Sequence, residues 1–203
     1  MKKTLLCLSL VILLMSGCQE LSHNSTIGNE NKPTLSESAD QKYLNEINDL
    51  KEKVETHSKI FSTTLPLNYQ LEATIDFVTD KENVDRISYE IFITKPKYDM
   101  TDITMSFYLN PEMFNILNTS SLFQSNIIND MPVSVTKDGE HNGLSLGRAF
   151  LLQEETNIEK TMTNVLQDIY VKISYTSNGE RATEYFHLKC TPTQRLKSFL
   201  SKL

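Results

Sequence analysis

From residue 69 onward the apolar residues of this chain fall at every second position. In YQLEATIDFVT (69–79), Leu71, Ala73, Ile75 and Phe77 alternate with Glu72, Thr74 and Asp76. RISYEIFIT repeats the pattern with Ile87, Tyr89, Ile91 and Ile93, and DITMSFYLN repeats it with Ile103, Met105, Phe107 and Leu109. A period of two puts successive side chains on opposite faces of an extended strand, and no helix can gather such residues on one side. Each strand then carries one apolar face that must be buried against another layer. Further strands are predicted at 131–137, 144–153, 169–176 and 183–190. Asp138-Gly139 and Asn178-Gly179 have the composition of tight hairpin turns.

Seven strands of this kind predict a mainly β fold: an antiparallel β-sandwich of immunoglobulin-like type, spanning 68–191. The likeness to immunoglobulin domains is architectural only, because the cysteine pair and tryptophan of a true member are missing. Short helices should interrupt the strands. Asn110-Pro111-Glu112 reads as a cap, a first-turn proline and a dipole-matched acid. Thr156 and Glu159 form a capping box ahead of Ile158, Met162, Val165 and Leu166. Tyr170 is placed to form a tyrosine corner.

An amphipathic helix precedes the strands, over 38–62. Ser38 and Gln41 have capping-box spacing, and Tyr43, Ile47, Leu50, Val54, His57 and Phe61 recur at steps of four and three. That stripe either docks on the chain's own domain or pairs in a short coiled coil, and its length of under three heptads favours docking. Residues 192–203 predict a second amphipathic helix, with Leu196, Phe199, Leu200 and Leu203 on one face and Arg195, Lys197 and Lys202 around it. Such a helix can lie on a membrane surface or dock in cis.

The first 37 residues have a different character. Lys2 and Lys3 precede an apolar run from Leu5 to Met15, after which come Ser16, Gly17 and Cys18. A membrane span needs about 20 apolar residues, so the run has the length of a secretion signal, roughly 7 to 15. The segment Met15-Ser16-Gly17-Cys18 resembles the lipobox of bacterial lipoproteins, with methionine where leucine is usual. The resemblance covers residues 1–18. It implies cleavage after Gly17, a diacylglyceryl group on Cys18 and a location on the outer face of the bacterial cytoplasmic membrane (the periplasmic side in a Gram-negative cell). Two acyl chains suffice for stable anchoring where one does not. Residues 18–37 are polar and without an apolar period, so they predict a lipidated disordered tether with a reach of roughly 25 Å.

The formal charge is −6, and the leader takes two lysines and no acid away with it. An acidic surface argues against nucleic acid as a partner. Of the three cysteines, Cys7 leaves with the leader and Cys18 carries the lipid. Cys190 is then left without a disulfide partner, and its parity with Phe186 and Leu188 turns it toward the core. His23, His57, His141 and His187 lack metal-ligand spacing, so no metal site and no cofactor is expected. KDGEHNG around His141 reads as a solvated hairpin tip ahead of a calcium loop.

Two function classes follow. The first is a non-catalytic binding or assembly module held at the membrane through Cys18, with a protein partner at the cell surface. Its contact surface would be the apolar part of NTSSLFQSNIIND (118–130), namely Leu122, Phe123, Ile127 and Ile128. The second is a secreted serine hydrolase. GLSLG (143–147) matches G-x-S-x-G, and Asp168 and His187 follow in Ser–Asp–His order. The motif works at a sharp strand-to-helix turn, whereas Arg148 to Gln153 continue as strand, so the binding module is the preferred reading.

Overall fold

The computed structural model describes residues 38–81, 84–127, 131–140, 142–153 and 163–202. The leader, Cys18, the tether, the Thr156–Glu159 capping box, His23, Ile128 and His141 lie outside the described residues. The described part is mainly β, with two sheets facing each other and three α-helices.

The alternating segments form the strands. They are β1 (Gln70–Thr79), β2 (Asp85–Thr94), β3 (Thr101–Leu109), β6 (Gly143–Leu152), β7 (Asp168–Ser177) and β8 (Glu180–Lys189). Three short strands complete the sheets: β4 (Leu117–Asn118), β5 (Phe123–Ser125) and β9 (Thr191–Pro192). One sheet has the order β4-β6-β2-β1-β9 and the other β5-β3-β7-β8. All pairs are antiparallel except β1 with β9. The segment 131–137, predicted as a strand, contributes only a bridge between Val135 and Met100. Asn178 and Gly179 both have positive φ (50° and 81°), as the tight turn joining β7 to β8 requires.

Inner faces supply the core. Ile75, Ile87, Tyr89, Ile91 and Ile93 from one sheet meet Met105, Phe107, Leu109, Ile169, Val171 and Ile173 from the other, all fully buried. The buried hydroxyl-to-backbone bond is made by Tyr89, which donates to Leu166 O at 2.9 Å, and burial drives its pKa well up. Tyr170 instead stands on an outer face between the rings of Phe61 and His187. The Asn110 side chain accepts from Glu112 N (3.0 Å), and Pro111–Asn115 form a 3₁₀ turn instead of an α-helix. Of the helix expected to carry Ile158, Met162, Val165 and Leu166, the described residues hold α2 (Thr163–Gln167), in which Leu166 is buried; Ile158 and Met162 lie outside them.

The first helix, α1 (Ala39–Thr56), starts at Ser38, whose hydroxyl accepts from Gln41 N. It lies on the outer face of the β5-β3-β7-β8 sheet, where Tyr43 meets Phe123 edge-on at 5.2 Å between ring centres. Its stripe buries Leu50 and Val54 and, among them, Glu46. The Glu46 carboxylate accepts from Ser106 Oγ (2.7 Å) and pairs with Lys172 Nζ (2.7 Å). Lys172 also reaches Asp49 (2.8 Å), which in turn binds Lys53. Ser106 shares a further hydrogen bond with Ser125 Oγ (2.8 Å).

The last helix, α3 (Gln194–Leu200), docks on β1. Leu196 is buried, and Phe199 stacks on Phe77 at 3.9 Å. Its apolar side is thus engaged within the chain, which is the docking-in-cis alternative of the two. No helix of the described residues is long and apolar enough to cross a membrane.

Candidate functional site

β8 is an edge strand of one sheet, β1 in the other is flanked on its outer side only by the two-residue β9, and a cleft of about 540 Å³ opens between β1 and β8. Each edge is closed over only part of its length by an extended piece of the chain. On β8, Ser62 N donates to Tyr185 O and His187 N donates to Ser62 O, both at 2.9 Å. On β1, β9 pairs at Thr74 and Ile75, and Thr193 N donates to Ile75 O (3.0 Å). The walls between these closures are set by Leu71 and Thr74 of β1, Thr63 and Leu65 of the α1–β1 connection, and His187 and Lys189 of β8. Of these, Leu65 is 52% exposed. A large aliphatic side chain left this open on a concave, partly apolar surface is what a binding face presents.

One wall carries a polar cluster. His187 Nε2 is 3.0 Å from Asp168 Oδ1, and Lys189 Nζ lies 2.6 Å from the same oxygen. The imidazole stacks on Tyr170 at 4.6 Å, and Tyr170 meets Phe61 edge-on at 5.0 Å. Burial, with the Asp168 charge adding to it, raises the Tyr170 phenol above its ordinary value. The ring of His187 is thereby fixed in orientation, and the Asp168 charge is shared between two neighbours. This arrangement can hold a donor at the cleft rim; a nucleophile would have to come from elsewhere.

Ser145 does not supply it. The structure brings Asp168 and His187 together but places Ser145 near the start of β6, within the strand and opposite Phe92 in the register. Its neighbour Leu146 points into the core, so Ser145 is exposed on the outer face of the five-stranded sheet. Asp168 and His187 stand on the outer face of the other sheet, across two layers of core side chains and a sheet spacing of about 10 Å. The glycines of GLSLG have a packing reason instead. A Cβ on Gly147 would lie 3.2 Å from Tyr89 O, and one on Gly143 would lie 3.4 Å from Ile93 O.

The predicted contact loop is also corrected. Leu122 and Phe123 are fully buried, and Ile127 is half-buried. Phe123 faces α1 from β5, and its carbonyl accepts from Arg148 Nη1 (2.5 Å). These side chains pack down because the outer face of their sheet is roofed by a helix. Burial lowers the Arg148 pKa without removing its charge. Cys190 is buried, as its parity implies, and burial pushes its thiol up to about 12, with Asp168 adding to that and Lys189 opposing it. Among the described residues no group of His, Cys, Asp and Glu is arranged to hold a metal ion. The cleft was not legible in the sequence, although the leucines of TTLPLN (63–68) lie outside any period and were its one signal.

No protein-family model matches the sequence, and no curated protein matches it. Among solved structures, the chain is similar to the X-ray structure of Northeast Structural Genomics Consortium target SoR45. The two share 11% identity with a TM-score of 0.32, over 63% of this chain and 90% of that one.

Proposed function

We propose that this protein is a bacterial lipoprotein, anchored through a diacylglyceryl group on Cys18 to the outer face of the cytoplasmic membrane, and that it acts there by binding or assembly and not by catalysis. The observation that carries this reading is the run Met15-Ser16-Gly17-Cys18 behind a charged, short apolar leader. The binding half is supported by the cleft between β1 and β8, with Leu65 half-exposed in its wall. Its natural ligand is a segment of a protein partner at the cell surface, since among the described residues part of the outer side of β1 and of β8 is left without a pairing strand there. We read the scaffold as an immunoglobulin-like sandwich. In support, β1, β2 and β6 are neighbours in one sheet and β3, β7 and β8 in the other, the partition by chain order that such domains make.

Attachment is tested by Cys18→Ala in cells fed a labelled fatty acid. The parent chain should take up label and stay with the membrane fraction, and the variant should do neither. A variant that remains processed and as firmly bound as the parent would overturn the anchor.

A further inference from the structure

At one end of the two-sheet body the β2–β3 connection meets the β7–β8 hairpin and the residues just before β1. Arg181 Nη1 donates to the carbonyl of Asp102 at the start of β3 (2.7 Å), just after that connection, and Lys97 N donates to Asn68 O (2.7 Å), which ties the connection to the residues before β1. Between them is a cavity of about 220 Å³. Tyr98 forms one wall and is 53% exposed, a large ring left in water where the chain had many polar alternatives. Tyr175 forms the floor. It is buried and braced edge-on by Tyr69 at 5.9 Å, whose hydroxyl donates to Glu184 (2.6 Å). Asn68, Asn178, Glu180 and Arg181 ring the mouth. Ser177, also in the wall, has a buried Oγ with no hydrogen-bond partner among the described residues.

We propose that this cavity is a saccharide site that takes one neutral hexose-type ring. A sugar ring has an apolar C–H face and an equator of hydroxyls, each able to donate and accept. Tyr98 offers a flat apolar face of matching kind. The side-chain amides of Asn68 and Asn178 both donate and accept, Glu180 accepts and Arg181 donates, which matches hydroxyls of either polarity. Glu180 and Arg181 cancel in charge, so the site favours a neutral ligand over a phosphate or a carboxylate. The volume suits a single ring, since sites for larger ligands run from about 300 Å³ upward. The backbone there is fixed in advance: Asn178 is held in the left-handed region by the hairpin turn, so the Cα that carries its amide does not move when a ligand arrives. An unpaired buried hydroxyl lowers stability, and Ser177 gains a partner when a χ1 turn brings it to a bound sugar. The proposal is independent of the lipid anchor and of the β1–β8 cleft.

The test is calorimetric titration of the full chain with maltotetraose and with chitotetraose. At least one should bind with a Kd in the range of about 0.1 to 5 mM, usual for a single-ring contact. Tyr98→Ala should weaken that binding at least tenfold with an unchanged melting temperature. Asn178→Gly, which keeps the positive-φ turn while removing the side chain and its amide, should weaken it by a factor of about 3 to 10. Ser177→Ala should bind more weakly yet melt higher. The chain has no tryptophan, so Tyr98→Trp adds a single indole whose emission should shift on saturation. Absence of heat with both oligosaccharides at about 20 mM, or binding that survives Tyr98→Ala and Asn178→Gly undiminished, overturns the proposal.

Discussion

The two sheets are alike on the inside and opposite on the outside. Along β2 from Arg86 to Thr94 buried and half-buried residues alternate. Along β3, Met105 to Leu109 are buried at every position. The cause is α1, which roofs β3, β5 and β7, whereas Glu72, Ser145 and Ala149 of the other sheet face water. The same backbone pattern therefore sets two different problems. On the open face a polar side chain keeps its hydration. Under α1 it loses water and must be paired, and Glu46, Ser106, Ser125 and Lys172 are paired with one another.

The hardest blow to this contrast is Phe123→Ser. It removes an aromatic ring from between α1 and the sheet and leaves a hydroxyl in its place. The expected loss is about 3–5 kcal/mol, or a drop in melting temperature of roughly 10 °C. A thermal melt within 2 °C or so of the parent would mean that α1 is not the roof described.

A smaller effect is expected from Asp49→Asn, and it depends on pH. Burial acts to raise the Asp49 carboxyl, but hydrogen bonds and charge from Lys172 and Lys53 outweigh it and hold the group below its ordinary value. A carboxyl depressed on folding contributes stability that is complete above its unfolded pKa of about 3.9 and is lost as pH falls through the folded value. Asp49→Asn should therefore cost about 1 kcal/mol at neutral pH, a modest figure because the site is partly open to solvent. The gap between variant and parent in urea melts should close as pH drops from about 4 toward 2. A gap that stays constant over that range would remove the ion pairing from the account. Lys172 has the complementary sign. Burial acts to lower its ammonium and the bonds to Asp49 and Glu46 raise it, so its contribution holds below the unfolded pKa of about 10.4 and fades only above it.

The smallest effect belongs to the open face. Ser145→Ala should change stability by less than about 0.5 kcal/mol. A loss of several kcal/mol in a denaturant melt would show that Ser145 has a partner on that surface.

The alternation of Leu71 to Phe77, Ile87 to Ile93 and Ile103 to Leu109 made the strands and their inner faces legible, because burial on one side has a period that the order of residues displays. What lies on the other side has no period. Tyr108 and Phe123 stand at outer positions, and only the docking of α1, a contact distant in sequence, makes them core. One local sign existed. Glu46 sits within the apolar stripe between Tyr43, Ile47 and Leu50, and a charge on the buried side of a helix implies a buried counter-charge. It could not name Lys172. The cleft and the sugar cavity depend in the same way on where strand edges and loop ends come together, and no window of sequence contains both walls.

Cys190 has a use as a gauge. Its backbone N–H is bonded to Gln167 O (2.8 Å) and its sulfur is enclosed at the end of β8, so a thiol reagent reaches it only when that junction comes apart. The rate of modification then counts openings. In dilute denaturant it separates local fraying of the β8 end from global unfolding, since only the second should accelerate steeply as denaturant is added. The fold thus carries its own chemical clock for how often the interior is breached.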